Sequence, residues 1–359
     1  MNKPGLTICG VMSGSSMDGL DMAICSFDQN QNGSVTWEIK KASTSEFPEQ
    51  LITDLLSCYE SSSSFIFSVE QRFSDFCVDS LRSFIGTENL DYIGFHGHTI
   101  FHEPQDGFTT QIGNAHHIAQ SLEIPVVAQF RNKDVALGGQ GAPLAPIVEQ
   151  YLFSDYKAFL NLGGIANLSV HNNANVKAFD ITACNQPLNH LSSYFNKKFD
   201  DNGKIASSGR IDEGLSEKLS LLEFLKLKAP KSLSNTWVQN EFIPILENYD
   251  CPVEDKMATV VDHIALQIAD SCKLIQQGES ILVSGGGVHN GYMIDQIQKK
   301  LVHRSIFIEK PIDLISEFKE SLLMGLMAYL RVNEIPNCLA SVTGALRDSC
   351  NGIIYRSDL

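Results

Sequence analysis

Gly10-Val11-Met12-Ser13-Gly14-Ser15-Ser16-Met17-Asp18-Gly19-Leu20-Asp21 is the stretch on which the fold turns. Residues 6–11 form an apolar run of β type, and residues 20–27 behind the glycines form a second. The reading is strand, glycine-serine turn, strand. Asn/Gly turn chemistry follows at 28–34, and residues 35–40 complete a three-strand meander. The turn itself fits two uses. Glycine permits a tight hairpin, and it also lets backbone N–H groups close on an anion such as phosphate.

Outward from this unit, residues 47–63 and 68–85 carry apolar positions three and four apart and predict helices. Residues 90–95 are a short apolar run, predicted as a buried strand that ends at His96-Gly97-His98. A helix is predicted over 112–122, a strand over 125–128, and a Gly- and Pro-rich crossover over 130–146. The opening pattern then recurs. Residues 158–162 are apolar, Gly163-Gly164 turns the chain, and strands are predicted over 166–170 and 176–179, ending at Asp180. A helix-rich stretch over 215–278 precedes a late strand at 280–284 and the triplet Gly285-Gly286-Gly287. Two strand-turn-strand units and a third glycine turn predict an α/β protein of two related halves around a cleft. None of the turns is G-x-x-x-x-G-K-[ST] or G-x-G-x-x-G.

Three such turns after apolar strands make phosphate binding a better account than three unrelated hairpins. Phosphoryl transfer also needs a metal ion on the phosphates and a group that positions the nucleophile. Asp18 and Asp180 are carboxylates at strand ends, suited to those tasks, or to capping a turn and to a hydrogen-bonded structural site. His96 and His98 share one face of an extended chain, but no Cys or carboxylate joins them at ligand spacing. His116 and His117 offer no better metal site. Arg131 lies in a charged segment just before the glycine crossover and could clamp a carboxylate through both nitrogens.

The 359 residues suit about two domains. A net charge of -15 argues against a general nucleic-acid binder, which needs a basic surface. The nine cysteines are scattered without a C-x-x-C pair, so neither a disulfide framework nor a zinc site is expected. The amino terminus has no long apolar segment and no membrane span is expected, which predicts a cytoplasmic enzyme.

GVMSGSSMDGLD (10–21), GFHGHTIFHEP (94–104), QIGNAHHIA (111–119), VVAQFRNKDVALGGQGAPLAP (126–146), NLGGIANLS (161–169), VSGGGVHN (283–290) and SVTGAL (341–346) together resemble the anhydro-N-acetylmuramic acid kinases, within the sugar kinase, actin and heat-shock-chaperone superfamily. The resemblance covers nearly the whole chain. It implies two RNase H-like domains around a central nucleotide cleft, with residues 1–128 and a returning segment 340–359 in the first and 129–339 in the second. It implies ATP and Mg²⁺ as cofactors, a small sugar as partner and a homodimer. Ser13, Gly14, Ser15, Ser16, Met17, Asp18, Gly19 and Leu20 would form the first phosphate loop, Asp18 lying nearest the metal. Gly163 and Gly164 would form the second, and Gly285, Gly286, Gly287, His289 and Asn290 would approach the adenosine. Asp180 matches the catalytic base and Glu320 a second acid of the active site. His96, Thr99, Arg131, Asp134, Gly138 and Gly139 fall on the sugar side.

The reaction so implied opens a 1,6-anhydro bond with water while O6 takes the γ-phosphoryl group of ATP, giving N-acetylmuramic acid 6-phosphate for cell-wall recycling. Two departures bear on the sugar. The family continues from its catalytic Asp as Thr/Cys-Gly-Pro-Gly-Asn, whereas Ile181-Thr182-Ala183-Cys184-Asn185 stands here, and Gln129 replaces a common Asp. They leave open a kinase for a different sugar. A non-catalytic ATP-binding protein of the same superfamily is the reading from another class.

Overall fold

The computed structural model describes residues 5–14, 17, 19–30, 34–172, 175–229, 231–310 and 313–357. The chain forms two compact units, Met1–Ser154 with Glu317–Leu359, and Asp155–Ser316. The first unit is larger than the 1–128 and 340–359 expected from the sequence. Phe130, Leu144, Ile147 and Val148, from the predicted crossover, pack into one apolar cluster with Ile8, Val127, Leu322 and Leu326. That burial ties 129–154 and the helix after residue 317 to the first unit.

In the first unit, β1 (Leu6–Ser13), β2 (Leu20–Gln29) and β3 (Val35–Ser45) form the antiparallel meander read from the sequence. Strands β4 (Tyr92–Phe95) and β7 (Val126–Ala128) continue the sheet in parallel with β1. Between these two in sequence, β5 (His98–Glu103) and β6 (Phe108–Ile112) form a separate hairpin. In the second unit, β8 (Ala158–Leu162), β9 (Ile165–Asn172) and β10 (Asn175–Ala183) form another antiparallel meander. Strands β11 (Ser280–Ser284) and β12 (Phe307–Glu309) extend it in parallel. A last strand, β13 (Ile353–Tyr355), borders β7 antiparallel. Setting β13 aside, the sheets read β7-β4-β1-β2-β3 and β12-β11-β8-β9-β10. Each sheet places its first strand beside the fourth and orders the rest alike. The duplicated order is that of paired RNase H-like domains, as expected.

Residues alternate across β1 because successive side chains leave a strand on opposite faces. Cys9 and Val11 join the cluster with Phe73, Cys77 and Leu81 of the helix Ser63–Ile85, while Ile8 faces Leu322 and Met324. Gly10 is where the second face admits a backbone. A Cβ there would lie 1.8 Å from the carbonyl oxygen of Ser321, and one at Gly94 would lie 2.2 Å from that of Met324. The helix Asp313–Val332 therefore rests directly on β1 and β4 from residue 321 onward, which fixes Glu320 one residue before the contact. Phe318 breaks the helical geometry just before it, at φ -111° and ψ 21°.

Candidate functional site

The carboxyl ends of parallel strands are where open α/β sheets bind ligands, and β1 and β4 deliver Ser13 and His96 to that end. Ser13 is buried and its hydroxyl lies 2.8 Å from Nδ1 of His98. Leu20, across the turn, sinks its side chain into the core, so only its backbone is available to a ligand. Gly19 has φ 153°, and a Cβ there would strike the Ser45 carbonyl oxygen at 2.5 Å. Met17 takes the left-handed region at φ 60°. Ser15, Ser16 and Asp18 lie outside the described residues.

His96 uses both ring nitrogens. Nδ1 lies 2.9 Å from its neighbour's Gly97 carbonyl, and the Arg131 Nε–H donates to Nε2 at 3.0 Å. With Arg131 donating, Nε2 must be the acceptor and Nδ1 carries the proton. Burial, aided by the Arg131 charge, pushes the His96 pKa down to about 3, and burial pushes His98 to about 4. Arg131 also donates through Nη1 to the Gly141 carbonyl at 2.7 Å. Its Nη2 has no protein partner among the described residues. Met12, Ser13, His96, His98, Thr99 and Arg131 thus surround one cavity of about 300 Å³. Glu320 is exposed, yet crowding by protein atoms raises its pKa and Asp21 adds repulsion, against the pull of Arg131 and Lys319. A second polar cavity, about 360 Å³, shares His96 and is lined also by Thr109, Gln111, Asn114 and Gln129. Gln129 holds φ 62°, a left-handed backbone that non-glycine residues reserve for special positions.

Asp134 stands apart from the other sugar-side candidates. It is 1% exposed, Oδ2 accepts the Gly141 N–H at 2.7 Å, and Oδ1 accepts the Thr343 hydroxyl at 2.7 Å and the Cys338 thiol at 3.1 Å. Gly139 passes so close that a Cβ would lie 2.3 Å from Oδ2, and Gly138 turns at φ 81°. The glycine loop is wrapped on this carboxylate, and its Gly141 carbonyl in turn holds Arg131.

The folding cost of the neutral histidines makes a prediction. An unfolded histidine titrates near 6.5, and His96, His98 and, in the second unit, His263 titrate at about 3, 4 and 4. Below pH 6.5 the unfolded chain takes up protons that the buried rings refuse. Stability is therefore full above pH 6.5 and falls as the pH drops towards 4, by on the order of 1–2 kcal/mol per histidine at pH 5. Urea unfolding at pH 7 and pH 5 should show the lower midpoint at pH 5; equal midpoints would contradict the burial of neutral rings.

In the second unit, Asp180 lies inside β10, beside a bulge between Asp180 and Thr182, and the strand runs on to Ala183 rather than ending at Asp180 as the sequence suggests. Its backbone N–H donates to the Lys231 carbonyl at 2.9 Å, and Oδ2 accepts the Leu233 N–H at 2.7 Å. Burial raises its pKa, while the Leu233 N–H, the Ser232 hydroxyl and the Lys231 charge restrain the rise. Beyond it, Thr182 and Cys184 are wholly buried, and Cys184 has φ -127°. Neither side chain demands a left-handed backbone. The Gly163 and Gly164 carbonyls accept N–H groups from residues 184–186, tying the β8–β9 turn to the start of the helix Asn185–Ser192.

The three late glycines separate by cause. Gly285 has φ 86°, and a Cβ at Gly287 would collide with Leu162 Cβ at 2.6 Å. Gly286 is exposed, takes no left-handed φ, and its Cβ would meet nothing nearer than Asn185 Nδ2 at 4.0 Å. Packing and backbone do not require glycine there. Gly286, Gly287, His289 and Asn290 line a cavity of about 370 Å³ with Leu188 and Phe199.

The family model for anhydro-N-acetylmuramic acid kinase matches residues 6–357. The chain belongs to the anhydro-N-acetylmuramic acid kinase family. A relative of that name from Pseudomonas syringae pv. syringae (strain B728a) is 32% identical over 365 residues, covering 96% of this chain and 98% of its own. Those from Vibrio vulnificus (strain CMCP6) and Sulfurimonas denitrificans (strain ATCC 33889 / DSM 1251) are 31% and 32% identical at similar coverage. Among solved structures, component A of (R)-2-hydroxyglutaryl-CoA dehydratase from Acidaminococcus fermentans aligns at a TM-score of 0.47 and 11% identity, over 91% of this chain and 99% of that one.

As an anhydro-N-acetylmuramic acid kinase, the chain is a phosphotransferase with an alcohol acceptor. Ser13, His96, Thr99 and Arg131, named from the sequence, meet at one cavity of the first unit. Gly286, Gly287, His289 and Asn290 meet at one cavity of the second. Sequence reasoning missed Leu188 and Phe199 of that second cavity. A signal was present in Phe199-Asp200-Asp201-Asn202-Gly203, a turn-forming run headed by an aromatic. Among the described residues no three His, Cys, Asp or Glu side chains are placed to share a metal ion, and no helix is long and apolar enough to cross a membrane.

Proposed function

We propose that this kinase consumes ATP and water to convert 1,6-anhydro-N-acetylmuramic acid into N-acetylmuramic acid 6-phosphate and ADP, with Asp180 as the general base. The observation that carries the assignment is Asp180 itself, half-buried and raised in pKa, with one oxygen fixed by the Leu233 N–H. A carboxylate of raised basicity suits removal of a proton from water. The water oxygen would bond to the anomeric carbon as Asp180 takes its proton, and the C1–O6 bond would break. O6 would keep that electron pair and take the γ-phosphoryl group in line, so that ADP leaves as the new P–O bond forms. Phosphoryl transfer thus replaces the acid that a glycosidase supplies to its leaving oxygen.

In this proposal the Arg131 Nη2 and Glu320 serve as polar contacts for the sugar. The nucleotide belongs with Gly286 and its neighbours. Asp18 is the proposed protein contact for Mg²⁺, and no step is assigned to the ion. Thr182 and Cys184 send their side chains into the core, so their departure from the family pattern supports an unchanged acceptor. A cytoplasmic homodimer completes the proposal, from family resemblance.

Incubation with Mg-ATP and 1,6-anhydro-N-acetylmuramic acid should release ADP and a sugar phosphate in equal amounts. ADP release only with another sugar would overturn the acceptor, and no sugar-dependent release would overturn the reaction.

A further inference from the structure

We infer that Phe199 is the platform on which the purine base of the nucleotide stacks, an inference that rests on placing the nucleotide beside Gly286. Phe199 is 61% exposed, although a phenyl ring left in water forgoes the gain of burial. Unlike the exposed Tyr194 and Leu221, it lines the cavity of about 370 Å³ that also holds Gly286, Gly287 and Asn290. The opposite demands of a nucleotide meet in this one cavity. Gly286 leaves backbone open to a polar, phosphate-bearing part, and Leu188 and Phe199 supply apolar surface for a flat ring. Every purine has a π-face, and aromatic side chains bind bases by stacking on it.

The segment after Phe199 is fastened in a way that presents the ring rather than letting it fold inward. Asp200 is buried and spends both carboxylate oxygens on backbone, Oδ1 accepting the Ile205 N–H and Oδ2 the Ala206 N–H, each at 2.9 Å. Asn202 takes the left-handed region at φ 56°, and its Oδ1 accepts the Gly291 N–H at 2.9 Å. Gly291 begins the helix Gly291–Leu301, directly after Asn290 of the cavity wall, and Asn290 caps that helix through the Met293 N–H. The Phe199 loop and the glycine turn are thus joined through one helix start. A platform held rigid before its ligand arrives loses little entropy on binding.

The experiment uses the full chain, with ADP and inorganic tripolyphosphate as probes, in the wild type, Phe199→Ala and Phe199→Trp. Phe199→Ala should weaken ADP binding about 10-fold, raise KM for ATP by a like factor, and leave KM for the sugar unchanged. Tripolyphosphate, which has no base, should bind both proteins equally, and Phe199→Trp should restore ADP binding. A purely structural role would shift tripolyphosphate and sugar as well, and that result overturns the inference. ADP affinity in Phe199→Ala equal to that of a nucleotide-binding wild type also overturns it, leaving the nucleotide site standing. A wild type that binds neither probe removes the nucleotide site and the inference together.

Discussion

Asp180→Asn should lower kcat by about 10²–10⁴-fold, the range that a general base supplies, while ADP affinity and thermal stability stay near those of the wild type. The amide is close to isosteric, and its oxygen can still accept the Leu233 N–H now held by Oδ2 at 2.7 Å. The Asp180 backbone N–H keeps the Lys231 carbonyl, so this part of β10 is undisturbed. What the variant lacks is a lone pair basic enough to take a proton from water. The pH profile separates this from a loss of geometry. Burial raises the Asp180 pKa above 3.8, so wild-type kcat/KM should fall on the acid side through a pKa higher than that of an ordinary Asp. That limb should be absent from the residual activity of the variant. Wild-type-like rates in Asp180→Asn would remove the base from this residue.

The sheets were legible because their signals are local. Short apolar runs over 6–11 and 20–27, joined by a glycine turn, read as a strand hairpin, and the same holds at 158–170. The β5–β6 hairpin is also written locally, around the turn from Pro104 to Gly107. The compact units depart from the expected boundary for another reason. Gly and Pro over 130–146 signal a break in regular structure, not a break between cores, and Phe130 and Leu144 are buried in the first unit all the same. Gly285, Gly286 and Gly287 are indistinguishable as letters. Only their surroundings separate a left-handed backbone, a tight packing contact and an open face. Asp134 shows the limit most clearly, because its partners Cys338 and Thr343 lie 204 and 209 residues away in the chain. No local pattern announces a contact of that span.

Asp134→Ala should lower stability by about 3 kcal/mol, since a buried donor left without an acceptor costs roughly 1–3 kcal/mol and a charged acceptor is lost as well. The three donors do not suffer equally. Thr343 already lies 3.3 Å from the Leu339 carbonyl and can turn its hydroxyl there, and the Cys338 thiol is a weak donor. The Gly141 N–H has no such alternative among the described residues, so most of the loss falls on the glycine loop. Asp134→Asn should be milder. Its amide oxygen can keep the Gly141 N–H while its NH₂ donates to Thr343, whose own proton moves to Leu339. The order wild type, Asn, Ala should appear in urea midpoints. It should appear again in KM for the sugar at temperatures where every variant is folded, because the Gly141 carbonyl that anchors Arg131 Nη1 moves with the loop. KM for ATP should not follow that order, because Asp134, Gly141 and Arg131 do not line the proposed nucleotide cavity. A sugar KM unchanged in folded Asp134→Ala would leave Asp134 a structural acid alone; one that rises while the ATP value holds makes it the residue through which the glycine loop positions Arg131.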